Sequence, residues 1–157
     1  KFTPAFSRAY QAIAGENGYV AFKPALGLIK EYSGQDPTNP IKPFAKELRQ
    51  AIIEDFGLNT VEEMDRVRFY TAVGTAADVF HGVDGWIEYT TAQGQTIIVT
   101  LDVAKKNVKE TAKADLVVEE VTDPSEDEDA FIEQTERYGR EVSALIRHRE
   151  EDFKKAA

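Results

Sequence analysis

Residues 83–103 read Val-Asp-Gly-Trp-Ile-Glu-Tyr-Thr-Thr-Ala-Gln-Gly-Gln-Thr-Ile-Ile-Val-Thr-Leu-Asp-Val, and this stretch decides the fold. Two runs rich in β-branched and aromatic residues, Val83–Thr91 and Thr96–Val103, are separated by a short polar segment that contains Gly94. Glycine adopts positive φ readily, so the segment predicts a tight turn between two antiparallel strands. The stretch therefore predicts a β-hairpin, around which the other elements can be placed.

Segments on both sides of the hairpin predict further strands and a helix. Val67–Val73 before it and Leu116–Val121 after it have the composition of strands. Residues 43–56 predict a helix, because apolar side chains recur every four residues between a proline at its start and a glycine after its end. Thr60 and Glu63 form a capping-box pattern for a shorter helix.

The C-terminal segment 125–155 predicts a long amphipathic helix. Ser125 and the acids that follow it form a capping-box pattern, and acidic residues in a first turn complement the helix dipole. Apolar residues then recur at helical spacing. The apolar stripe consists of Phe131, Tyr138, Val142, Leu145 and Ile146, of which the first four are expected to be buried.

The order of these elements predicts one α+β (or α/β) domain over residues 1–157. A small mixed β-sheet is expected to be flanked by helices. Residues 1–40 are expected to add a helical N-terminal extension of two short helices, the second opened by Pro24.

Composition excludes several classes of protein. The chain contains no Cys, so disulfides and thiolate metal sites are excluded, and its two histidines leave little for a zinc site. No apolar run is long enough to span a bilayer, so the sequence predicts no membrane partner and a cytoplasmic location.

The net charge of −9 comes from one segment of the chain. Residues 119–136 hold nine acids and no base, and outside them acids and bases balance at 19 each. The chain as a whole therefore has no electrostatic attraction for a polyanion, and nucleic acid would need a local basic patch. The candidate basic residues are Lys105, Lys106, Lys109, Lys113, Arg137, Arg140, Arg147 and Arg149.

The predicted hairpin brings two carboxylates together. Asp84 opens its first strand and Asp102 lies near the end of its second, and such positions are neighbours in an antiparallel pair. Hydrolysis of a phosphodiester needs a hard divalent cation held by carboxylate oxygens, which activates water and neutralises developing charge. The pair is therefore a candidate site for Mg²⁺ or Mn²⁺.

This arrangement resembles the PD-(D/E)XK superfamily, the nucleases with the restriction-endonuclease-like fold. Gly-Val-Asp84 is similar to the first half of the family motif, and Val-Thr-Leu-Asp102-Val-Ala-Lys105 to the second. The resemblance covers residues 43–121 and implies a nuclease-like core there of helix, three-stranded meander, helix and strand, to which residues 1–40 and the C-terminal helix would be additions. It also implies Asp84, Asp102 and Lys105 as catalytic residues, the two acids as ligands of Mg²⁺ or Mn²⁺, and DNA or RNA as substrate.

The chain departs from the family pattern at the lysine. The family places Lys two residues after the acid, where this chain has Ala104. Lys105 would point to the opposite face of a regular strand, and a β-bulge at Val103 or Ala104 would bring it round. The sequence therefore predicts either a metal-dependent nuclease or a diverged relative, and the alternative is a non-catalytic interaction module that uses the acidic segment or the C-terminal helix.

Structural roles compete with the catalytic ones at several of these positions. Asp84 can be a turn acid and Asp102 can cap the element after it. Glu63 and Glu88 are candidate third ligands, with a helix cap or a surface position as the favoured interpretation. His81 is a candidate metal residue or a turn histidine. The aromatic residues of the strands can stack bases, but core packing is favoured for them.

Overall fold

The computed structural model describes residues 8, 22–32, 34, 36–71, 84–103, 114–119 and 121–156. Its helices within these residues are α1 (Phe22–Tyr32), α2 (Pro43–Asp55), α3 (Val61–Met64) and α4 (Glu128–Ala156). Its strands are β1 (Val67–Thr71), β2 (Gly85–Thr90), β3 (Thr96–Val103) and β4 (Leu116–Val118). The fold is α+β, as the sequence predicts.

The four strands form one mixed sheet in the order β1-β2-β3-β4. β1, β2 and β3 are an antiparallel meander, and β4 runs parallel to β3. At the hairpin turn Gly94 has a φ of 86°, and the Thr91 amide donates to the Gln95 carbonyl over 2.8 Å. The predicted hairpin is therefore confirmed, with a register in which Gly85 pairs with Leu101.

The main core lies between one face of the sheet and helices α2 and α4. The strand residues that face it are Val67, Phe69, Ile87, Tyr89, Ile97, Val99, Leu101 and Val118, and the buried helix residues are Leu48, Ile52, Ile53, Tyr138, Val142 and Ile146. Leu145, expected in the buried stripe, is only half-buried, and its neighbour Ile146 takes the fully buried position. Helical periodicity alone does not separate these adjacent residues at the edge of the stripe.

The opposite face of the sheet is also covered. Trp86 and Glu88 are both buried there, and α1 reaches this face because Lys30 Nζ lies 3.1 Å from a carboxylate oxygen of Glu88. Leu26 and Ile29 of α1 are buried as well. Strand β2 is therefore buried on both faces. Its aromatic residues Trp86 and Tyr89 are buried, which confirms for them the favoured interpretation that strand aromatics pack in the core.

Local capping agrees with the sequence for α3 and differs for α4. At α3 the hydroxyl of Thr60 accepts from the amide of Glu63, whose carboxylate accepts from the Thr60 amide. The predicted Ser125 cap of α4 is wrong, because Ser125 donates its amide and its hydroxyl to Asp123 Oδ1 over 2.8 and 2.6 Å. Because of this local turn the helix begins only at Glu128, and Asp127 caps it by accepting from the Ala130 amide over 3.0 Å.

One edge of β3 is covered by an ion pair, because β4 pairs only with its last three residues. Upstream of β4, the Thr100 amide donates to the Asp115 carboxylate over 2.9 Å, and Arg149 donates to the Ile98 carbonyl. Arg149 also pairs with Asp115 over 2.7 Å. These side chains satisfy strand groups that would otherwise be open to intermolecular pairing.

Several predictions about elements and the proposed lysine fall on residues outside this part of the chain. They are most of the first N-terminal helix, of which only Arg8 is described, the crossover at 106–113, and the position of Lys105.

Candidate metal site and adjoining cavity

Asp84 is bound to the backbone on both sides of Asp102. The Asp84 amide donates to the Leu101 carbonyl over 2.8 Å, and the Val103 amide donates to Asp84 Oδ2 over 2.7 Å. The Asp84 carbonyl also accepts from the hydroxyl of Thr71 on β1 over 3.3 Å. The two acids therefore occupy adjacent positions on neighbouring chain segments, as the hairpin predicts.

The bond to Val103 orients the Asp84 carboxylate and engages one of its oxygens. A carboxylate has two oxygens with about four lone-pair sites, so accepting one amide leaves capacity for a cation. Side chains alternate along β3, so Asp102 shares a face with Thr100 and Trp86, opposite to Leu101. Both acids are half-buried, which leaves each carboxylate accessible to a hydrated cation.

The remaining members of the predicted site are not joined to this pair. Lys105 and His81 lie outside the residues that the structure describes. Glu63 is the capping residue of α3, as the favoured interpretation predicts. Across the described ranges, no group of three or more His, Asp or Glu residues is arranged to hold a metal ion. Of the predicted ligands, Asp84 and Asp102 are the two that the described fold brings to adjacent chain positions.

Glu88 is a buried ion-paired carboxylate, and the favoured prediction of a surface position is wrong. Its side chain is only 2% exposed. It accepts from the Trp86 indole over 3.0 Å and from Lys30 over 3.1 Å, and Arg68 lies 3.6 Å away. A buried carboxylate requires such partners, because an unpaired charge in the interior is costly.

A sequence signal for this burial exists. The neighbours of Glu88 in β2 are apolar or aromatic at both parities, which is typical of a strand covered on both faces. A lone acid in such a strand must find a cation on a covering element. The same cluster affects Tyr70, since burial and then the charge of Glu88 raise the pKa of its phenol.

A cavity of about 690 Å³ adjoins Asp84 on the side of the sheet that faces α2. Phe44 and Phe69 contribute aromatic side chains to its lining, and Leu101 and Val121 contribute aliphatic ones. The sequence does not predict this cavity, because its lining comes from five separate parts of the chain.

The candidate basic patch on α4 is partly used within the protein. Arg147 donates to the Asp55 carboxylate over 3.0 Å and lies over the ring of Phe56 at 4.5 Å. Arg149 is the residue that covers the edge of β3. Two of the four arginines proposed as a polyanion-binding patch therefore stabilise the fold, which leaves a weaker patch than the sequence alone predicts.

Comparison of the chain with protein-family models, with curated protein sequences and with solved structures gives no match. Among the described helices, none combines the length and the apolar character that crossing a membrane requires.

Proposed function

We propose that this protein is a metal-dependent phosphodiesterase, or a diverged relative of one, that acts on DNA or RNA. The observation that supports the proposal is the bonding of Asp84 to Leu101 and Val103, which holds one carboxylate beside the chain position of the other, Asp102. Two carboxylates on adjacent backbone segments are a donor set that suits Mg²⁺ or Mn²⁺.

The protein's own contribution would be to hold the two carboxylates in place. The Val103 amide fixes the orientation of Asp84, and the sheet register fixes the position of Asp102. When bound, the cation would supply Lewis-acid stabilisation of the phosphate charge and a more acidic water. Lys105 is proposed, from the family resemblance, to stabilise the anionic transition state.

The experiment is a titration of Mn²⁺ into the wild type and Asp102→Asn, with the melting temperature and the cleavage of single- and double-stranded DNA and of RNA as readouts. Asp152→Asn, an exposed acid near the end of α4, is the matched control. We expect Mn²⁺ to raise the melting temperature of the wild type and of the control, because the cation binds only the native state. Cleavage should be lost in Asp102→Asn alone.

The alternative function is a non-catalytic interaction module. The observation that favours it is the exposure of every acid between residues 123 and 136, a segment that leads into and begins α4. A melting shift without cleavage would indicate a degenerate site. The same response in the wild type, Asp102→Asn and the control would refute the metal site and favour the interaction module.

A further inference from the structure

We infer that the cavity beside Asp84 seats the base and sugar of one unpaired nucleotide. This inference rests on the proposed function and names the class of substrate for that site. The cavity volume of about 690 Å³ lies within the range of small-molecule sites, which is roughly 300–1,000 Å³. Its lining is mainly apolar, with few polar groups, which is the composition expected of a ligand pocket.

The arrangement of the lining matches the two ends of a nucleotide. Phe44 of α2 is half-buried and supplies aromatic surface, on which any base can pack because every base has a π-face, while Phe69 of β1, a core residue with 9% exposure, adds to the lining. Asp84, the proposed metal ligand, lies at the border of the same cavity, and Thr71 adds a hydroxyl beside it. A base within the cavity would therefore place its phosphate toward Asp84, the one proposed ligand among the residues that line it.

Two of the residues that line the cavity are apolar side chains exposed to solvent. Ile41 lines it with 94% of its surface exposed, and Val103 lines it with 49% exposed. A ligand that covers these side chains gains hydrophobic burial of about 25 cal/mol per Å². Lys42 and Asp36 also line the cavity and are exposed, so its border carries both a cation and a second acid.

An unpaired nucleotide fits this cavity better than a duplex does. A base in a duplex is stacked and paired, and it enters a recessed pocket only after extrusion, which costs a few kcal/mol. A base in a single strand or a loop enters without that cost. The cavity therefore predicts a preference for single-stranded substrate.

The test is a titration with thymidine, followed through backbone amide chemical shifts in the absence of any divalent cation. Thymidine is uncharged, so its binding does not depend on the metal site. We expect saturable shifts at the amides of Ala45, Leu101 and Val103, which line the cavity. Ile41→Asp should weaken binding about tenfold by removing apolar contact, whereas Val61→Asp should not. Val61 is the matched control, because it is an isolated apolar residue with 74% exposure.

Each outcome decides the inference. Equal weakening by the two aspartates, or no saturable shift at these amides, overturns it. Shifts caused by octanoate but not by thymidine also overturn it and make the cavity a site for apolar acids. Cleavage of DNA without thymidine binding rejects the pocket and leaves the proposed function standing, while thymidine binding without metal-dependent cleavage rejects the proposed function alone.

Discussion

A close contact between helices α2 and α4 predicts the effect of a single methyl group. Gly139 of α4 is buried against α2, and a Cβ added there would lie 2.6 Å from the Cβ of Ala51. Carbon atoms attract at about 3.5–4.0 Å, so Gly139→Ala forces the helices apart. Overpacking costs about 1–3 kcal/mol, and alanine returns about 1 kcal/mol of helix propensity. We expect a net loss of up to about 2 kcal/mol.

The assay is urea denaturation of Gly139→Ala beside Gly27→Ala. Gly27 is exposed on α1, and a Cβ there would meet no other atom within 4 Å. The same substitution should therefore stabilise the protein by up to about 1 kcal/mol at that position. Ala51→Gly in the Gly139→Ala background should recover stability relative to the sum of the single changes. Equal stabilisation by the two alanines would refute the close contact.

Three further substitutions test other parts of the fold. Asp127→Ala should destabilise by about 1 kcal/mol in chemical denaturation, whereas Ser125→Ala should cost less, because Asp127 is the residue that caps α4. Lys30→Met should destabilise by about 2 kcal/mol, because it removes a partner of the buried Glu88; the measured loss would be near zero if the pair contributed nothing. Asp115 is partly buried, but its hydrogen bonds outweigh that burial and lower the pKa of its carboxyl. Its stabilising contribution is therefore present above the ordinary Asp pKa and is lost as the pH falls through the lowered value, so Asp115→Asn should flatten the acid limb of the melting-temperature profile.

The elements predicted correctly are those with strong local signals. Alternating residues on both sides of Gly94 predict the β2–β3 hairpin, and repeated apolar spacing predicts α2, because backbone geometry and burial act together there. The α4 cap was predicted at the wrong residue for a local reason. Ser125 is bonded to Asp123, and Asp127 takes the cap position. The residue pattern alone does not show which of these three side chains caps the helix.

The candidate site is predictable only in part, because much of it depends on tertiary contacts. The adjacency of Asp84 and Asp102 follows from hairpin register, but the bond from the Val103 amide to Asp84 does not. The ion pair between Lys30 and Glu88 joins residues that are 58 positions apart, and no local pattern specifies such a partner. The cavity likewise depends on how α2 packs over the end of the sheet.

The most direct test of the carboxylate pair is the location of bound Mn²⁺, read from paramagnetic broadening of backbone amide signals at low metal-to-protein ratios. Our account predicts that the amides of Asp84, Leu101 and Val103 broaden first, since they lie at the two carboxylates. It also predicts that this broadening disappears in Asp102→Asn. Broadening that begins instead at the exposed acids of α4, such as Glu128 and Asp129, and that is unchanged in Asp102→Asn would contradict the proposed metal site.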